Sequence, residues 1–122
     1  MENESILSAE ACEALLRQEE LKPRELRRLM AARSAGSIDF MLIDVREEAK
    51  HKLSRIRGTD GRFEAADQIA LFSPPKDRAI VLYCQAGIKS RELTKPLKSA
   101  GYQKVCNLAY GILGYQGEIE KE

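Results

Sequence analysis

One stretch of the sequence decides the fold and locates the chemistry: Ala79-Ile80-Val81-Leu82-Tyr83-Cys84-Gln85-Ala86-Gly87-Ile88-Lys89-Ser90-Arg91. An apolar run that ends on a thiol, with a glycine-containing loop and a helix behind it, is typical of a buried parallel strand leading into a helix. The N–H groups at the start of that helix, together with its dipole, favour a thiolate over a thiol. Because the thiolate is the nucleophilic form of cysteine, we predict that Cys84 is a catalytic nucleophile.

The composition is that of one ordinary folded domain. The 122 residues are 43% hydrophobic and 32% charged, and the formal net charge is +1. This balance provides no chain-wide field for nucleic acid or an anionic membrane, so neither is expected as a partner. The three cysteines show no Cys-x-x-Cys spacing and there is a single histidine, so we expect no metal and no cofactor. The first residues lack the pattern of a signal peptide, and a reducing, cytoplasmic setting is the expectation.

Apolar runs alternate with amphipathic segments along the chain. Strands are predicted at residues 20–22, 40–45, 79–83 and 105–108. Helices are predicted at residues 8–18, 23–33, 47–53, 65–72 and 90–100, with a terminal helix after Gly111 and a solvated acidic tail at 118–122. This alternation predicts an α/β fold, in which helices cover both faces of a parallel sheet. We expect residues 1–19 to be an N-terminal extension or linker helix and residues 20–122 to form the domain.

Polar residues stand where two of the predicted strands end. Asp44, Arg46 and Cys84 all occupy such positions, and the carboxyl ends of parallel strands meet at the ligand-binding edge of a sheet. We predict that Asp44 and Arg46 support the site structurally, since a carboxylate at a strand end ties down a neighbouring loop. Arg46, Arg55 and Arg57 either form a basic rim that attracts anions or an acidic protein, or are solvated surface charges.

Several fragments, in this order and spacing, resemble the single-domain rhodaneses, which are sulfurtransferase modules. They span about residues 21–116 and are Leu42-Ile43-Asp44-Val45-Arg46-Glu47, Ser54-Arg55-Ile56-Arg57-Gly58, Val81-Leu82-Tyr83-Cys84-Gln85-Ala86-Gly87-Ile88-Lys89-Ser90, Ala100-Gly101-Tyr102, and Asn107-Leu108-Ala109-Tyr110-Gly111-Ile112-Leu113-Gly114-Tyr115. The resemblance implies a three-layer fold, with a central parallel sheet of about five strands and helices on both faces. It also implies that Cys84 takes a sulfane sulfur from a donor, holds it as a persulfide and passes it to a nucleophile.

The resemblance further implies that the loop beginning at Cys84 curls around the sulfur. The residues expected to bind the substrate are Gln85, Ala86, Gly87, Ile88, Lys89, Ser90 and Arg91. A ring of backbone N–H groups suits an anionic persulfide, and Gly87 allows the tight turn. Lys89 stands where the family commonly has an arginine, and Tyr110 stands where it usually has the first of two glycines. Arg91 either reaches the mouth of the site or points to solvent.

The donor and the acceptor stay open at this point. The donor is expected to be a small anion such as thiosulfate, or a protein persulfide on a cysteine desulfurase. The acceptor is cyanide, a thiol or a sulfur-carrier protein. The alternative function is a catalytically quiet rhodanese-like interaction module or redox sensor, in which Cys84 is a small buried apolar side chain. A cysteine phosphatase would need an arginine six positions after the cysteine, and that position is Ser90.

Overall fold

Five short parallel strands form the central sheet of the computed structural model, which describes residues 5–122. The strands are β1 (Glu20–Leu21), β2 (Met41–Asp44), β4 (Gly61–Arg62), β5 (Ile80–Tyr83) and β6 (Val105–Leu108). Their order across the sheet is β1-β6-β5-β2-β4, so β5 lies in the middle. Every residue of β2, β5 and β6 is buried, which is why these strands read as continuous apolar runs.

Helices cover both faces of the sheet, as the alternation in the sequence predicts. The helices are α1 (Ala9–Leu16), α2 (Pro23–Ser34), α3 (Glu48–Leu53), α4 (Ile88–Ser99) and α5 (Gly111–Gly114), with a 3₁₀ helix at Ala66–Leu71. Side chains of α1 and α2 pack with Val81 and Tyr83 on one face. Leu97 of α4 and Ile69 of the 3₁₀ helix pack with Ile80 and Leu82 on the other. Successive side chains of a strand point to opposite faces, so β5 supplies both cores.

Helix α1 packs into the first of these cores. Ser8 caps it by accepting a hydrogen bond from the Ala11 N–H at 3.1 Å. Cys12 and Leu16 of the helix are 0% and 2% exposed, within the same cluster as β5. The division of the chain at residue 19 stays a prediction, and residues 1–4 lie outside the described part. None of the helices within residues 5–122 has the length and apolar content of a membrane span.

The C-terminal segment agrees with the prediction in its short helix and in its exposed Glu118 and Glu120 side chains, but it also contains a strand that was not predicted. After the one-turn α5, the chain forms β7 (Ile119–Lys121), which pairs antiparallel with β3 (Ser54–Ile56). The Nε atom of Arg55 lies 3.2 Å from Glu120, and Arg57 lies 3.7 Å from Glu118. The acidic tail is therefore ordered by a basic strand more than sixty residues earlier. This pairing also takes Arg55 and Arg57 out of any basic rim at the Cys84 site.

Candidate active site

Cys84 comes directly after β5, at the carboxyl edge of the sheet, as its position in the sequence predicts. The residue is 4% exposed and lies in the wall of a cleft of about 370 Å³. Three basic and three acidic side chains line this cleft, and they are Arg46, Lys50, Lys89, Glu47, Glu64 and Glu92. Because these charges balance, any strong attraction for an anion must come from the immediate surroundings of the sulfur.

The sulfur of Cys84 accepts hydrogen bonds from two backbone amides of the loop that follows it. The Gly87 N–H lies 3.1 Å from Sγ and the Ser90 N–H lies 3.4 Å away, while the Cys84 thiol donates to the Ser90 hydroxyl oxygen at 3.4 Å. Burial by itself raises the pKa of the Cys84 thiol. The Ser90 hydroxyl, which can donate to the thiolate once it turns toward the sulfur, and the amides of Ser90, Gly87 and Ala86 outweigh burial. The pKa therefore lies below its ordinary value of 9.0, which favours the nucleophilic thiolate.

Helix α4 begins earlier than the sequence suggests. It starts at Ile88, two residues before the predicted start, and Gly87 is its N-cap. Gly87 has a φ of +95°, and a Cβ at this position would lie 2.9 Å from the backbone nitrogen of Tyr110. Glycine is thus required both for the backbone conformation and for the close approach of another chain segment. Lys89 and Ser90 consequently lie in the first turn of the helix, where free N–H groups point toward the loop.

A second chain segment holds the Cys84 loop from the other side. The N–H groups of Ile112 and Leu113 in α5 donate to the carbonyls of Cys84 and Gln85, at 2.9 and 3.2 Å. Gly111 has a φ of +61°, and a Cβ there would collide with these same carbonyl groups. These two carbonyls are therefore satisfied by α5, while the Gly87 and Ser90 amides of the same loop point at the sulfur.

Asp44 and Arg46 form a buried ion pair beside this loop. Asp44 is 0% exposed, Arg46 is 6% exposed, and the Arg46 Nη2 and Asp44 Oδ2 atoms lie 2.9 Å apart. The same guanidinium donates to the side-chain oxygen of Gln85 at 3.2 Å and to the Ser54 carbonyl at 2.5 Å. Burial by itself raises the pKa of the Asp44 carboxyl, but hydrogen bonds from Arg46 and His51 outweigh burial and lower it. The pair ties the end of β2 to the loop, and its supporting role in the site stays a prediction.

Two further polar residues have no role in the sequence-based prediction. Nδ1 of His51 lies 3.0 Å from Asp44 Oδ2, so the one histidine braces the buried ion pair. Asn107 of β6 is 1% exposed and accepts a short hydrogen bond from the Ser90 hydroxyl through Oδ1. A polar residue inside the apolar run Val105-Cys106-Asn107-Leu108 is the signal that could have pointed to such a partner, because buried amides are nearly always hydrogen-bonded.

The other predicted substrate-binding residues occupy different surroundings. Gln85, Ala86, Ile88 and Lys89 line the cleft next to Cys84. Arg91 instead pairs with Glu20 at 3.1 Å, and its side chain is 70% exposed. The binding roles of all these residues stay predictions.

The other two cysteines are inert by comparison. Burial raises the pKa of the Cys12 thiol, and it raises that of Cys106 to about 12. Cys106 donates to the carbonyls of Leu16 and Gln18 at 3.2 and 3.0 Å, which satisfies its S–H group. Only Cys84, among the three, combines a lowered pKa with a position in a cleft.

Comparison with known proteins places the chain among its relatives. A family profile described as "Rhodanese-like domain" matches residues 22–118. The chain is 30% identical over 86 residues to a sulfurtransferase from Allochromatium vinosum, covering 70% of this chain and 80% of the relative. It is 34% identical over 82 residues to a tRNA uridine(34) hydroxylase from Wolbachia pipientis subsp. Culex pipiens, covering 63% of this chain and 29% of the relative. The chain thus spans less than a third of that relative's length.

A solved structure gives the same result for the fold. The chain is similar to a structure described as "rhodanese with anions from E. coli", with a TM-score of 0.61 and 27% sequence identity. That alignment covers 69% of this chain and 100% of the other. The family match and the sulfurtransferase relative support a sulfurtransferase-type role. The α/β fold and the profile match across most of the chain together show that this protein belongs to the rhodanese-like domain family.

Proposed function

We propose that this protein is a sulfurtransferase in which Cys84 carries a sulfane sulfur as a persulfide. The observation that carries the proposal is the pair of backbone N–H groups, from Gly87 and Ser90, that point at the Cys84 sulfur from 3.1 and 3.4 Å. Preorganised amides stabilise an anion without having to reorganise during the reaction. They suit both the attacking thiolate and the anionic persulfide that replaces it.

The reaction proceeds by two displacements at sulfur. With thiosulfate as the donor, the Cys84 thiolate attacks the outer sulfur, the S–S bond breaks, and its electron pair leaves with sulfite. Cys84 then carries a terminal, anionic sulfur. A nucleophilic acceptor attacks this sulfur, the new S–S bond breaks, and the electron pair returns to the Cys84 thiolate. Both steps conserve electrons, so the cycle needs no redox cofactor.

The cleft favours a protein as one of the two sulfur-exchanging partners. Three large apolar side chains around the Cys84 loop are exposed, Ile88 by 69%, Tyr110 by 68% and Leu113 by 69%. Each is tied to the loop, because Ile88 lines the cleft, the Tyr110 amide packs on Gly87, and the Leu113 amide bonds to Gln85. Exposed apolar side chains grouped around a site are typical of protein contact surfaces. We therefore propose a desulfurase persulfide or a sulfur-carrier protein as partner, with thiosulfate as the small-molecule donor.

The test is the mass of the intact protein after exposure to sulfane donors. Thiosulfate, cysteine persulfide and a desulfurase persulfide are each expected to add about 32 Da, the mass of one sulfur, and cyanide is expected to remove it. The Cys84→Ser variant should gain nothing. Cys106→Ser is the matched control, since serine can donate to the same two carbonyls, and it should gain sulfur as the parent protein does. If no donor adds sulfur, the protein is an interaction module or a redox sensor. If Cys84→Ser still gains sulfur, another cysteine carries it.

A further inference from the structure

A line of polar side chains runs from the reactive sulfur to the surface through the interior of the protein. Cys84 Sγ lies 3.4 Å from Ser90 Oγ, and Ser90 is hydrogen-bonded in turn to Asn107 Oδ1. The Asn107 amide nitrogen donates to Glu20 Oε2 at 3.0 Å. Ser90 and Asn107 are 0% and 1% exposed, so water does not substitute for their partners. We call these three residues, Ser90, Asn107 and Glu20, the polar chain.

The Ser90 hydroxyl carries one proton, and two acceptors compete for it. Because the Asn107 Oδ1 atom accepts that proton, Ser90 Oγ is left to accept a hydrogen bond from the Cys84 thiol. A Cys84 thiolate needs the opposite direction, in which the hydroxyl donates to the sulfur. Ser90 Oγ and Asn107 Oδ1 would then face each other as two acceptors with no proton between them. This is avoided only if the side-chain amide of Asn107 turns over, that is, rotates so that its oxygen and nitrogen atoms exchange places.

Glu20 opposes that turn. If the Asn107 amide turns over, its Oδ1 atom faces the Glu20 carboxylate, and two acceptors again meet without a proton between them. Arg91 holds the carboxylate in place, since its Nη2 atom lies 3.1 Å from the same Oε2 atom. The backbone adds to this, because the Asn107 N–H donates to the Glu19 carbonyl at 2.9 Å and fixes β6 beside β1.

We propose that Glu20 is a positioning residue that, through Asn107, sets the direction of the Ser90 hydroxyl and so limits how far Ser90 stabilises the Cys84 thiolate. The thiol is thereby kept less acidic than its loop alone would make it. Movement of Glu20 away from Asn107 releases the hydroxyl toward the sulfur. The inference concerns the thiol that the proposed function uses. Thiol acidity is measured without any sulfur donor, so the two proposals fail separately.

The test is the pH dependence of Cys84 alkylation by iodoacetamide, followed by the mass of the Cys84 peptide. Glutamine at position 20 can accept from Asn107 or donate to it, so Glu20→Gln frees the amide to turn over. We expect the thiol pKa to fall by about one unit, which is about a tenfold gain in thiolate below the pKa. The Glu20 side chain is 43% exposed, and the substitution is isosteric, so the fold tolerates it.

Removal of a negative charge lowers a thiol pKa by itself, so two controls separate that effect. The charged groups that line the Cys84 cleft come from several elements and are Arg46, Glu47, Lys50, Glu64, Lys89 and Glu92. The Glu20–Arg91 pair lies at the far end of the polar chain. Glu92→Gln removes a carboxylate from the Cys84 cleft itself without touching the polar chain, and it should shift the pKa less than Glu20→Gln does. In a Ser90→Ala background, Glu20→Gln should have no more effect than Glu92→Gln. An equal shift with and without the Ser90 hydroxyl would overturn the inference.

A measurement that leaves Ser90 in place keeps the inference testable if Ser90→Ala fails to fold. In Glu20→Gln, the side-chain NH₂ resonances of Asn107, followed by NMR as pH rises, should move with the ionisation of Cys84, because the released amide turns over toward Ser90. In the parent protein, where Glu20 holds the amide, the same resonances should move less, and in Glu20→Gln combined with Cys84→Ser they should stay in place. Equal movement in the parent protein and in Glu20→Gln would overturn the inference.

Discussion

The backbone amide of Gly87 points at the sulfur of Cys84 from 3.1 Å, and it does so from a left-handed backbone conformation with a φ of +95°. This relationship turns an ordinary strand-to-helix connection into an anion-binding loop, since the turn at Gly87 brings the first amides of α4 around the sulfur. It depends on a residue without a Cβ, which makes it open to a direct test.

Gly87→Ala should both destabilise the protein and raise the pKa of Cys84. An L residue at positive φ costs about 1–2 kcal/mol, and the added Cβ would also press on the Tyr110 amide. A displaced Gly87 amide no longer stabilises the thiolate, so alkylation of Cys84 at neutral pH should slow. Gly36→Ala is the matched control, because Gly36 has a φ of +84° and nothing within 4 Å of the added Cβ. Gly36→Ala should lower the free energy of unfolding through similar backbone strain and leave Cys84 alkylation unchanged. Slower alkylation in both variants would contradict the claim that the Gly87 amide stabilises the thiolate.

Alkylation of the native protein should label one cysteine. The pKa of Cys84 lies below 9.0, while that of Cys106 is raised to about 12 and that of Cys12 is also raised. Peptide mapping after iodoacetamide treatment should therefore find the label on Cys84 alone, with a rate that levels off at a lower pH than that of an ordinary cysteine thiol. Unfolding in guanidinium should expose all three thiols to the reagent. Labelling of Cys106 in the folded state would show that the interior around β6 opens more readily than its burial implies.

Asp44→Asn should be strongly destabilising at neutral pH. It leaves the Arg46 guanidinium buried without its carboxylate, and breaking a buried ion pair costs about 3–5 kcal/mol. Because the folded pKa of Asp44 is lower than its ordinary value of 3.8, the stability from this carboxylate is complete above pH 3.8 and is lost as pH falls through the folded pKa. Urea unfolding should thus show that the parent protein has a higher free energy of unfolding than Asp44→Asn at neutral pH, and that this difference disappears in acid.

Asp39→Asn is the control for Asp44→Asn. Asp39 pairs with Arg78 at 3.2 Å, but its side chain is 72% exposed. Exposed pairs contribute about 0–1 kcal/mol, so this variant should unfold close to the parent protein. An equal loss of unfolding free energy in Asp44→Asn and Asp39→Asn would mean that burial does not strengthen the contribution of the Asp44 pair to stability.

Lys89→Ala should weaken the use of thiosulfate as a donor. Lys89 lines the cleft beside Cys84, and loss of a partly screened attraction of about 1 kcal/mol raises KM about fivefold with little change in kcat. Lys89→Arg should restore KM, because the positive charge is kept. Lys95→Ala removes the same charge from an exposed position further along α4 and should leave KM unchanged. A similar rise in KM for both alanine variants would indicate a general charge effect.

Tyr110→Gly should stabilise the protein. Tyr110 is 68% exposed and has a φ of +65°, a conformation that glycine adopts without strain. Tyr110→Ala removes the same ring but keeps the Cβ, so the difference between the two variants isolates the backbone strain. We expect the free energy of unfolding of the glycine variant to be about 1 kcal/mol higher than that of the alanine variant. An alanine variant as stable as the glycine variant would show that the turn at Tyr110 is unstrained.

The sequence was enough to predict the parts of this protein that depend on neighbours along the chain. The apolar runs of β2, β5 and β6 predicted buried parallel strands, because burial on both faces leaves no polar positions in a strand. The same local pattern placed Cys84 at the end of β5 and Gly87 in the turn that follows. The start of α4 was two residues out, since the first turn of a helix has free N–H groups and resembles a loop in sequence.

Only the tertiary structure decided which polar side chains surround the sulfur and which strand the C-terminal segment pairs with. Asn107, Glu20 and His51 lie far from Cys84 in sequence, and no spacing rule connects them to it. The acidic tail was expected to be solvated, and its glutamates are exposed, but only the tertiary structure shows that its backbone pairs with Ser54–Ile56. Such contacts depend on which segments the sheet brings side by side. A local pattern specifies the element a residue belongs to, but the partner of a buried polar group is chosen by the packing of the whole chain.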